Sequence, residues 1–338
     1  MLSRVEQNIS LATHTTLKVG GLAEYFAEIS SLEELKEALL FSKKTKVPLA
    51  VLGGGSNVLV GDDGYRGLVV KNNLLSISDT VHGDNVYLKA GSGETLDDLV
   101  KYAVSKNYWG LENLSAIPGS VGATPIQNVG AYGDEVANLI TEVSAINKET
   151  TELKNFSNKD CQFAYRDSFF KTSEGKQWII TEVVFKLSLI KSPKLDYGSL
   201  SDLKYIPSLT PEKIRNEVIK IRDGKFPNWR EVGTAGSFFK NPIIETNVFN
   251  KLRDQYPDIV GHAVDDSRTK VSLGWVLDKI CGLKGYSKDG VCLYKEQALV
   301  LVNESAKDAD TINTFADEIK NIVKEKTGIL IEREVSSL

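Results

Sequence analysis

A long glycine-rich segment with almost no charge limits what this chain can fold into. Residues 110–133 read GLENLSAIPGSVGATPIQNVGAYG, with five glycines, two prolines and Glu112 as the one acidic or basic side chain. The segment has neither helical nor strand periodicity, and a surface linker normally carries residues that keep it solvated. We therefore expect backbone laid against something other than protein side chains. Bare N–H groups and small residues suit a phosphate or a flat aromatic ring.

A second glycine loop lies upstream, at residues 52–60, which read LGGGSNVLV. The pattern predicts a buried strand, a glycine turn and a second apolar run. It is no P-loop, because no Gly-Lys-Ser/Thr follows, and no dinucleotide fingerprint, because no helix opens there. The segment AGSGETL at 90–96 comes closer to that fingerprint but has Leu96 where its last glycine belongs. Alone, the loop at 52–60 is as consistent with a tight turn as with ligand contact.

The two glycine loops together narrow the choice of ligand. Both follow strand-like segments, so they could face each other across one elongated molecule. A dinucleotide fits that description, since its pyrophosphate would take backbone amides and its ring would lie on small residues.

Hydrophobic periodicity in the rest of the chain predicts a mixture of helices and strands. Helical spacing, with acids early and lysines late, predicts a helix over 31–46, and Thr210–Pro211 opens another. The mixture favours α+β domains over one long doubly wound sheet. Further helices are predicted after Thr95 and at 247–255, 272–281 and 309–326, strands at 67–71, 178–189, 297–303 and 329–335, and a hairpin across 142–156.

Length and charge limit the class of protein. At 338 residues we expect two or three domains, and a net charge of −4 leaves no basic stripe for nucleic acid. The N-terminus has no apolar targeting core and no apolar run approaches about 18 residues, so we expect a cytosolic protein without a membrane span. No apolar stripe marks a dimer interface, so we expect a monomer.

The supply of cysteine and histidine argues against several chemistries. The three cysteines have no Cys-x-x-Cys spacing and the three histidines are far apart in sequence. A disulfide framework, a metal site, a Ser–His–Asp hydrolase and a Cys–His protease are all disfavoured. The chemistry must come from Ser, Arg, Lys, Glu, Asp or Tyr, or from a bound organic cofactor.

Three polar segments hold candidate reactive side chains. Ser237 in GTAGSFFKNP has no histidine base nearby and reads as a turn serine unless a cofactor drives proton donation. Arg166 in YRDSFFK could stabilise an anion or pair with its neighbour at the surface. In ILIEREV, Glu332 and Glu334 share one face of a predicted half-exposed strand, and the pattern does not choose between them.

In order and spacing, these segments resemble the UDP-N-acetylenolpyruvoylglucosamine reductase family. The resemblance runs from about Thr15 to Val335, nearly the whole chain. LDYGSL at 195–200 is similar to a substrate-loop segment of the longer form of the family. The six matching segments are TTLKVGG, LGGGSNVLV, GLENLSAIPGSVGATPIQNVGAYG, YRDSFFK, GTAGSFFKNP and KEQALVLVN.

The resemblance implies a fold and a reaction. The fold is the two-subdomain FAD-binding fold of vanillyl-alcohol-oxidase-type flavoproteins, followed by a C-terminal α+β substrate domain. The reaction is NADPH-dependent reduction of UDP-N-acetylglucosamine enolpyruvate to UDP-N-acetylmuramate in peptidoglycan precursor synthesis, with hydride passing from flavin N5 to substrate C3. The implied domains are FAD-binding subdomain 1 at 1–75, FAD-binding subdomain 2 at 76–225, the substrate-binding domain at 226–328, and a terminal strand returning to the flavin at 329–338.

The resemblance also implies residue roles. Ser237 would protonate C2, while Arg166 and Glu334 would polarise the carboxylate side and steady the enol form. Pro118–Gly122 would lie at the diphosphate, and Gln127–Gly130 nearer the flavin. The implied FAD-binding residues are Gly53, Gly54, Gly55, Ser56, Asn57, Pro118, Gly119, Ser120, Gly122, Gln127, Asn128, Gly130 and Arg222, and those for the UDP and diphosphate portion of the substrate are Tyr197, Lys225, Asn241 and Gln297.

One position departs from the family's pattern. The family's last strand usually continues Glu-Val-Arg, whereas this chain reads Glu334-Val335-Ser336. The matching arginine is thought to lie near the flavin. We therefore expect its absence to weaken flavin binding or to change the flavin's redox potential.

Two other functions stay open. An FAD-dependent oxidase of the same fold would pass electrons to oxygen, but none of the three histidines falls where a covalent flavin tether is expected. A non-catalytic flavin- or nucleotide-sugar-binding protein would have no use for intact Ser237, Arg166 and Glu334. The sequence also leaves open whether Tyr132 gates the site or only packs.

Overall fold

The computed structural model describes residues 5–338, which form two compact units. One boundary between the units follows Arg222, close to the predicted boundary at 225/226. Two short stretches of the N-terminal part join the second unit. The four-part division at residues 75, 225 and 328 stays a prediction. The first unit contains the described residues up to Ile9, Ala23–Gly55 and Arg66–Arg222, and the second contains Ser10–Leu22, Ser56–Tyr65 and Asp223–Leu338.

The first helix, Leu32–Thr45, begins and ends where the sequence predicts. The Ser31 hydroxyl accepts the Glu34 N–H at 3.2 Å, and the Glu34 carboxylate accepts the Ser30 N–H at 2.7 Å. The two bonds resemble a capping box whose return bond comes from the residue before the cap, and they satisfy backbone donors at the start of the helix. At the other end, Lys46 takes a left-handed conformation with φ 58° and its N–H returns to the Ser42 carbonyl.

This helix covers a four-stranded sheet in the first unit. Its buried side chains Leu35 and Leu39 share one apolar cluster with Leu68 and Val70 of the sheet. The strands lie in the order Glu6–Ser10, Leu22–Ile29, Tyr65–Asn72 and Leu49–Leu52, with the last two parallel.

A five-stranded sheet forms the larger part of the first unit. Helix Leu96–Ser105 packs on it, with the Thr95 hydroxyl accepting the Asp98 N–H at 3.1 Å. The predicted hairpin and the strand at 178–189 are confirmed, whereas the sequence did not indicate the exposed edge strand Ile77–His82. The unit's last helix is Pro211–Asp223. The strand order is Leu153–Ser157, Ile140–Asn147, Trp178–Ser188, Asn85–Gly91 and Ile77–His82, and these neighbours are antiparallel.

The second unit builds two small antiparallel sheets and several helices around one core that includes Phe238, Phe239 and Phe315. Helix Ala309–Thr327 begins at Asp308, whose carboxylate accepts the Thr311 N–H at 2.8 Å. The strands of one sheet lie in the order Gly233–Ser237, Val300–Asn303, Val291–Leu293 and Ser287–Lys288. Those of the other lie in the order Ile243–Glu245, Arg268–Val271 and Gly261–Ala263. The remaining helices are Thr246–Gln255 and Leu273–Trp275, and the second of these continues as a π-helical turn at Val276–Ile280.

The prediction of a strand over 329–335 is wrong in its bounds. The segment is extended, with Ile329 at 3% and Ile331 at 4% exposure and Leu330 at 72%, but it forms only one isolated bridge there, Arg333 to Phe239. Alternating burial arises because one face meets the core, and no neighbouring strand runs alongside. Regular pairing begins later, where Ser336–Ser337 lies parallel to Val58–Leu59.

The remaining elements are short. Across residues 5–338, no helix is both long enough and apolar enough to cross a membrane. Two-residue strands Gly130–Ala131 and Asp134–Glu135 form a hairpin. Short 3₁₀ helices lie at Leu11–His14, Glu112–Leu114, Val121–Ala123, Val136–Asn138, Phe169–Lys171, Gly175–Gln177 and Gly198–Tyr205.

Candidate functional site

The two glycine loops lie directly against each other in the first unit. A Cβ built on Gly53 would stand 2.3 Å from Ser120 Oγ, and one on Gly54 would stand 2.9 Å from Gly119 Cα. Only glycine allows this approach of one backbone to the other. The two loops are therefore neighbours in the fold, but at Gly53 and Gly54 they touch each other directly, and a ligand held between other parts of them stays a prediction.

A third turn, at Ser92–Gly93, contacts the loop at 110–133. The Gly122 N–H donates to Ser92 O at 2.9 Å, and the Leu96 N–H donates to Gly119 O at 3.0 Å. The start of helix Leu96–Ser105 is thus occupied by the loop at 110–133, which explains why AGSGETL does not act as a dinucleotide fingerprint. Three uncharged turns meet here, and such a cradle of small residues fits a cofactor held through backbone groups, as FAD requires.

Lys71 also contacts this cradle, a position that its sequence surroundings did not indicate. Its ammonium donates to Gly53 O at 2.5 Å, and burial lowers the pKa of Lys71. In the run GLVVK the residue reads as the solvent-facing end of a strand, so only the fold reveals its position.

Arg222 lies at the end of helix Pro211–Asp223 and contacts the glycine loop. Its Nε donates to Ala116 O at 3.2 Å. Burial raises the pKa of Tyr132, while the charge of Arg222 and a hydrogen bond with it act in the opposite direction. Arg222 therefore links the first half of the loop at 110–133 to its closing hairpin.

Arg166 lies at the tip of a tight turn closed by hydrogen bonds between Ala164 and Asp167. Its φ of 52° is left-handed, and its guanidinium donates to Gly130 O at 3.0 Å. The Asn128 amide donates to Ala164 O at 3.1 Å, which ties the same turn to the loop. The fold thus brings Arg166 to the Gln127–Gly130 stretch.

Tyr132 and Tyr197 form an aromatic pair in the first unit. Their rings meet edge to face at 5.4 Å. Tyr132 is 8% exposed and packs in a cluster with Trp109 and Leu195, whereas Tyr197 is 45% exposed. Tyr132 is therefore part of the apolar packing of the first unit, whereas the Tyr197 ring is accessible to solvent.

In the second unit the fold brings Ser237 close to Glu334. Ser237 ends strand Gly233–Ser237, and the next residue's carbonyl, Phe238 O, accepts the Glu334 N–H at 2.8 Å. The Phe238 N–H is itself bonded to Leu299 O at 2.9 Å, so the serine sits on a fixed extended backbone. Ser237 and Glu334 are both half-buried.

The two glutamates of the last segment have different surroundings. Glu332 is exposed and its carboxylate lies 3.0 Å from Lys240 Nζ. Glu334 is held by its backbone on both sides, since its carbonyl also accepts from Asn57 Nδ2 at 3.3 Å. The Asn57 carbonyl in turn accepts the Ser336 N–H at 3.1 Å. Glu332 is therefore engaged in a surface ion pair, whereas Glu334 is fixed through its backbone.

Two predicted substrate-binding amides meet at the start of the helix that begins at Leu273. Asn241 Oδ1 accepts the Leu273 N–H at 2.9 Å. Gln297 Oε1 lies where a Cβ on Gly274 would come within 2.7 Å. Lys225 is half-buried in the stretch after Arg222. Asn241 and Gln297 therefore lie beside two consecutive residues, Leu273 and Gly274.

Comparison with known proteins identifies the family. Residues 23–156 match the FAD binding domain family, and residues 228–338 match the C-terminal domain of UDP-N-acetylenolpyruvoylglucosamine reductase. A UDP-N-acetylenolpyruvoylglucosamine reductase from Pasteurella multocida (strain Pm70) is 39% identical over 93% of this chain and 91% of its own length. The chain belongs to the UDP-N-acetylenolpyruvoylglucosamine reductase family.

Other relatives in the family cover the chain as fully. A reductase of the same name from Bacteroides fragilis (strain YCH46) is 38% identical over 98% of this chain and 99% of its own length. The crystal structure of UDP-N-acetylenolpyruvylglucosamine reductase from Thermus caldophilus has a TM-score of 0.67 and 26% identity, covering 99% of this chain and 98% of its own.

Membership of the family confirms several predictions. The fold class is confirmed, with an FAD-binding part followed by the C-terminal α+β domain. The enzyme class and cofactors are confirmed as well: the chain is an NADPH-dependent flavin oxidoreductase that uses FAD.

Proposed function

We propose that this chain reduces UDP-N-acetylglucosamine enolpyruvate to UDP-N-acetylmuramate with NADPH, in peptidoglycan precursor synthesis. The observation that carries the proposal is the pairing of the Ser237 and Glu334 segments, within residues 228–338 that match the reductase C-terminal domain. FAD, when bound, would supply the two-electron redox chemistry that connects NADPH to C3 of the enolpyruvyl group.

The chain's own groups would hold the cofactor mainly through backbone. The cradle formed by Gly53–Gly55 and Pro118–Gly122 is uncharged and closely packed, which suits a diphosphate bound by peptide N–H groups. Arg222 would add a cation to this half of the loop, and Gln127–Gly130 would lie nearer the flavin ring. Ser56 and Asn57 continue the first loop into the second unit.

Ser237 is proposed as the proton donor to C2. Hydride addition at C3 leaves negative charge on C2 and the adjoining carboxylate, and this charge draws the hydroxyl proton without a histidine base. The hydrogen bonds of the Phe238 N–H and carbonyl fix the backbone directly after the serine. This resolves why a serine without a nearby base is placed on such a rigid strand.

Arg166 and Glu334 are proposed to steady the enol form that precedes protonation. The Arg166 guanidinium is a permanent cation, so it can balance the developing charge on the substrate carboxylate. Its bond to Gly130 O holds it at the loop. For the UDP and diphosphate portion we propose Tyr197, Lys225, Asn241 and Gln297. A monomeric state and a cytosolic location stay predictions.

The proposal is tested by separating the two half-reactions with Ser237→Ala. Anaerobic stopped-flow absorbance should show flavin reduction by NADPH within about twofold of the unmodified protein, and reoxidation by the enolpyruvyl substrate slowed about 100-fold or more. Ser287→Ala, an exposed strand serine of the same unit, is the matched control. Equal loss in both half-reactions would refute Ser237 as the proton donor.

The rival functions are separated by simpler measurements. A purified protein that shows no flavin absorbance after incubation with FAD would refute both the reductase and the oxidase. In the absence of oxygen, NADPH consumption should depend on the enolpyruvyl substrate. If consumption instead required oxygen and ignored that substrate, the oxidase would be favoured.

A further inference from the structure

An ion pair between Lys194 and the buried carboxylate of Asp134 has no role in the steps above, and Lys194 lies three residues before the proposed substrate tyrosine. Lys194 Nζ is 2.6 Å from Asp134 Oδ1, and the Asp134 side chain is 1% exposed while that of Lys194 is 42% exposed. Asp134 directly follows the Tyr132–Gly133 turn of the glycine loop. Lys194 begins the short segment 194–197 that ends at Tyr197. The pair therefore joins the glycine loop to that segment.

The surroundings of Asp134 make the pair difficult to replace by solvent. Its Oδ1 also accepts from Asn138 Nδ2 at 2.9 Å and from the Glu135 N–H at 2.8 Å. Its Oδ2 is buried and has no hydrogen-bond partner among residues 5–338. A buried carboxylate is unfavourable unless an opposite charge compensates it. Lys194 is the cation that does so.

Asn113 adds a second link between the same two parts. Its Nδ2 donates to Lys194 O and to Tyr132 O, each at 2.9 Å. One amide thus joins the backbone of segment 194–197 to the backbone of the glycine loop. Leu195 is 8% exposed and packs in the cluster that contains Tyr132. Segment 194–197 is held by charge, by hydrogen bonds and by apolar contact.

Tyr197 itself has less support. Its side chain is 45% exposed, and its ring contacts the edge of Tyr132. If the Tyr197 ring must take one position to bind a ligand, the entropy lost in ordering its segment weakens binding, unless the segment is already ordered in the free protein. The attachment at Lys194 supplies that order before the ligand arrives.

We propose that Lys194 is a positioning residue, whose ion pair with Asp134 fixes the segment carrying Tyr197 and thereby sets the affinity for the nucleotide-sugar substrate. The inference rests on the proposed function for the role of Tyr197 in substrate binding. The structural half of the inference, that the ion pair orders segment 194–197, is independent of the proposed function. Loss of the pair raises the KM for the nucleotide sugar and leaves kcat and the KM for NADPH nearly unchanged.

The first experiment measures amide hydrogen exchange of the holoenzyme across residues 195–205. Lys194→Met keeps an apolar stem and removes the charge, and we expect exchange there to become about five- to tenfold faster. Lys191→Met removes a charge from an exposed neighbour and should change nothing. Lys194→Arg keeps the pair and should restore most of the protection. Equal exchange in Lys194→Met and Lys191→Met would overturn the proposal whatever the activity.

The second experiment measures steady-state kinetics with the same variants. The KM for the enolpyruvyl nucleotide sugar should rise about five- to tenfold in Lys194→Met, with kcat within about twofold. Asp134→Asn should give a similar rise, and the double variant should add little, because both changes break one interaction. Faster exchange with an unchanged KM would overturn the link to the substrate. If the unmodified protein did not turn over this substrate, the proposed function would fail, and the exchange experiment would still decide the structural half.

Discussion

Alanine at Gly53 or Gly54 tests whether close contact between the two glycine loops forms the FAD cradle. A Cβ at Gly54 would lie 2.9 Å from Gly119 Cα, whereas ordinary contact begins near 3.4 Å. The φ angles of Gly53 and Gly54 are not left-handed, so alanine meets a steric barrier rather than a conformational one. Because the opposing atom is backbone, Gly54→Ala must separate the loops by roughly half an ångström.

The expected magnitude follows from that overlap. Forcing a methyl group into a closely packed site costs about 1–3 kcal/mol. Where the cost falls on the FAD-binding conformation, the Kd for FAD rises roughly 5- to 150-fold. Gly53→Ala should behave in the same way, since its Cβ would lie 2.3 Å from Ser120 Oγ. This second clash has a remedy: Ser120→Ala removes the oxygen and leaves a Cβ–Cβ distance of 3.4 Å, which is ordinary contact.

The assay is titration of the apoprotein with FAD, followed by flavin fluorescence, with urea unfolding of each variant as a second measurement. Gly61→Ala is the control, because its Cβ would have no atom within 4 Å. Gly54→Ala should bind FAD weakly with or without Ser120→Ala. Because Ser120 is itself a predicted FAD-binding residue, Ser120→Ala alone is the reference for the double variant, and adding Gly53→Ala to it should weaken FAD binding much less than Gly53→Ala weakens it in the unmodified protein. The reasoning is refuted if Gly54→Ala binds FAD as tightly as Gly61→Ala, or if Gly53→Ala weakens FAD binding as much in the Ser120→Ala background as in the unmodified protein.

Three further predictions follow from individual side chains. A hydrogen bond from Lys106 is the largest cause that lowers the pKa of Asp79 to about 2; an unfolded aspartate titrates near 3.9, so this stabilisation is complete above about pH 4 and is lost as the pH falls through about 2. Asp79→Asn should therefore lower the free energy of unfolding by about 1 kcal/mol at pH 7 after solvent screening. In urea titrations, the difference in unfolding free energy between this variant and the unmodified protein should shrink toward pH 2. A difference that did not change with pH would show that the charge of Asp79 is not its source. Glu334→Gln should slow flavin reoxidation by substrate at least about tenfold. Glu332→Gln, which removes an exposed surface ion pair, should change the same rate by no more than about twofold. If both variants slowed reoxidation equally, the assignment of Glu334 over Glu332 would be refuted. Ser336→Arg should tighten FAD binding or shift the flavin's redox potential. If the Kd for FAD and the redox potential were the same in the variant and the unmodified protein, this expectation would be refuted.

The elements that the sequence predicted well are those whose signals are local. The capping pair at Ser31 and Glu34, the proline that opens Pro211–Asp223 and the cap at Thr95 all act within one turn of the helix they begin. Edge strand Ile77–His82 was missed because its side chains are mostly exposed and it exists only through pairing with Asn85–Gly91. A strand defined by its neighbour leaves little pattern in its own residues.

The candidate site divides in the same way. Both glycine loops were recognised from composition, and the fold brings them into direct contact at Gly54 and Gly119, while the ligand expected between them stays a prediction. Lys71 and Asp134 were missed, because a charged residue in a short run looks solvated until the fold shows what covers it. Ser237, Arg166 and Glu334 were selected by resemblance, since Ser237 alone reads as a turn serine.

We expect the departure at Ser336 to act through charge rather than through structure. Ser336 is held by its backbone, with its N–H on Asn57 O at 3.1 Å and its neighbours parallel to Val58–Leu59. Its side chain is exposed, so an arginine there would not disturb the pairing. The Glu334 N–H donates to Phe238 O, and the Glu334 carbonyl accepts from Asn57 Nδ2. Neither bond involves the side chain at position 336. The serine therefore removes a positive charge while leaving the carboxylate in place, and any change in flavin binding would be electrostatic and would weaken as salt is added.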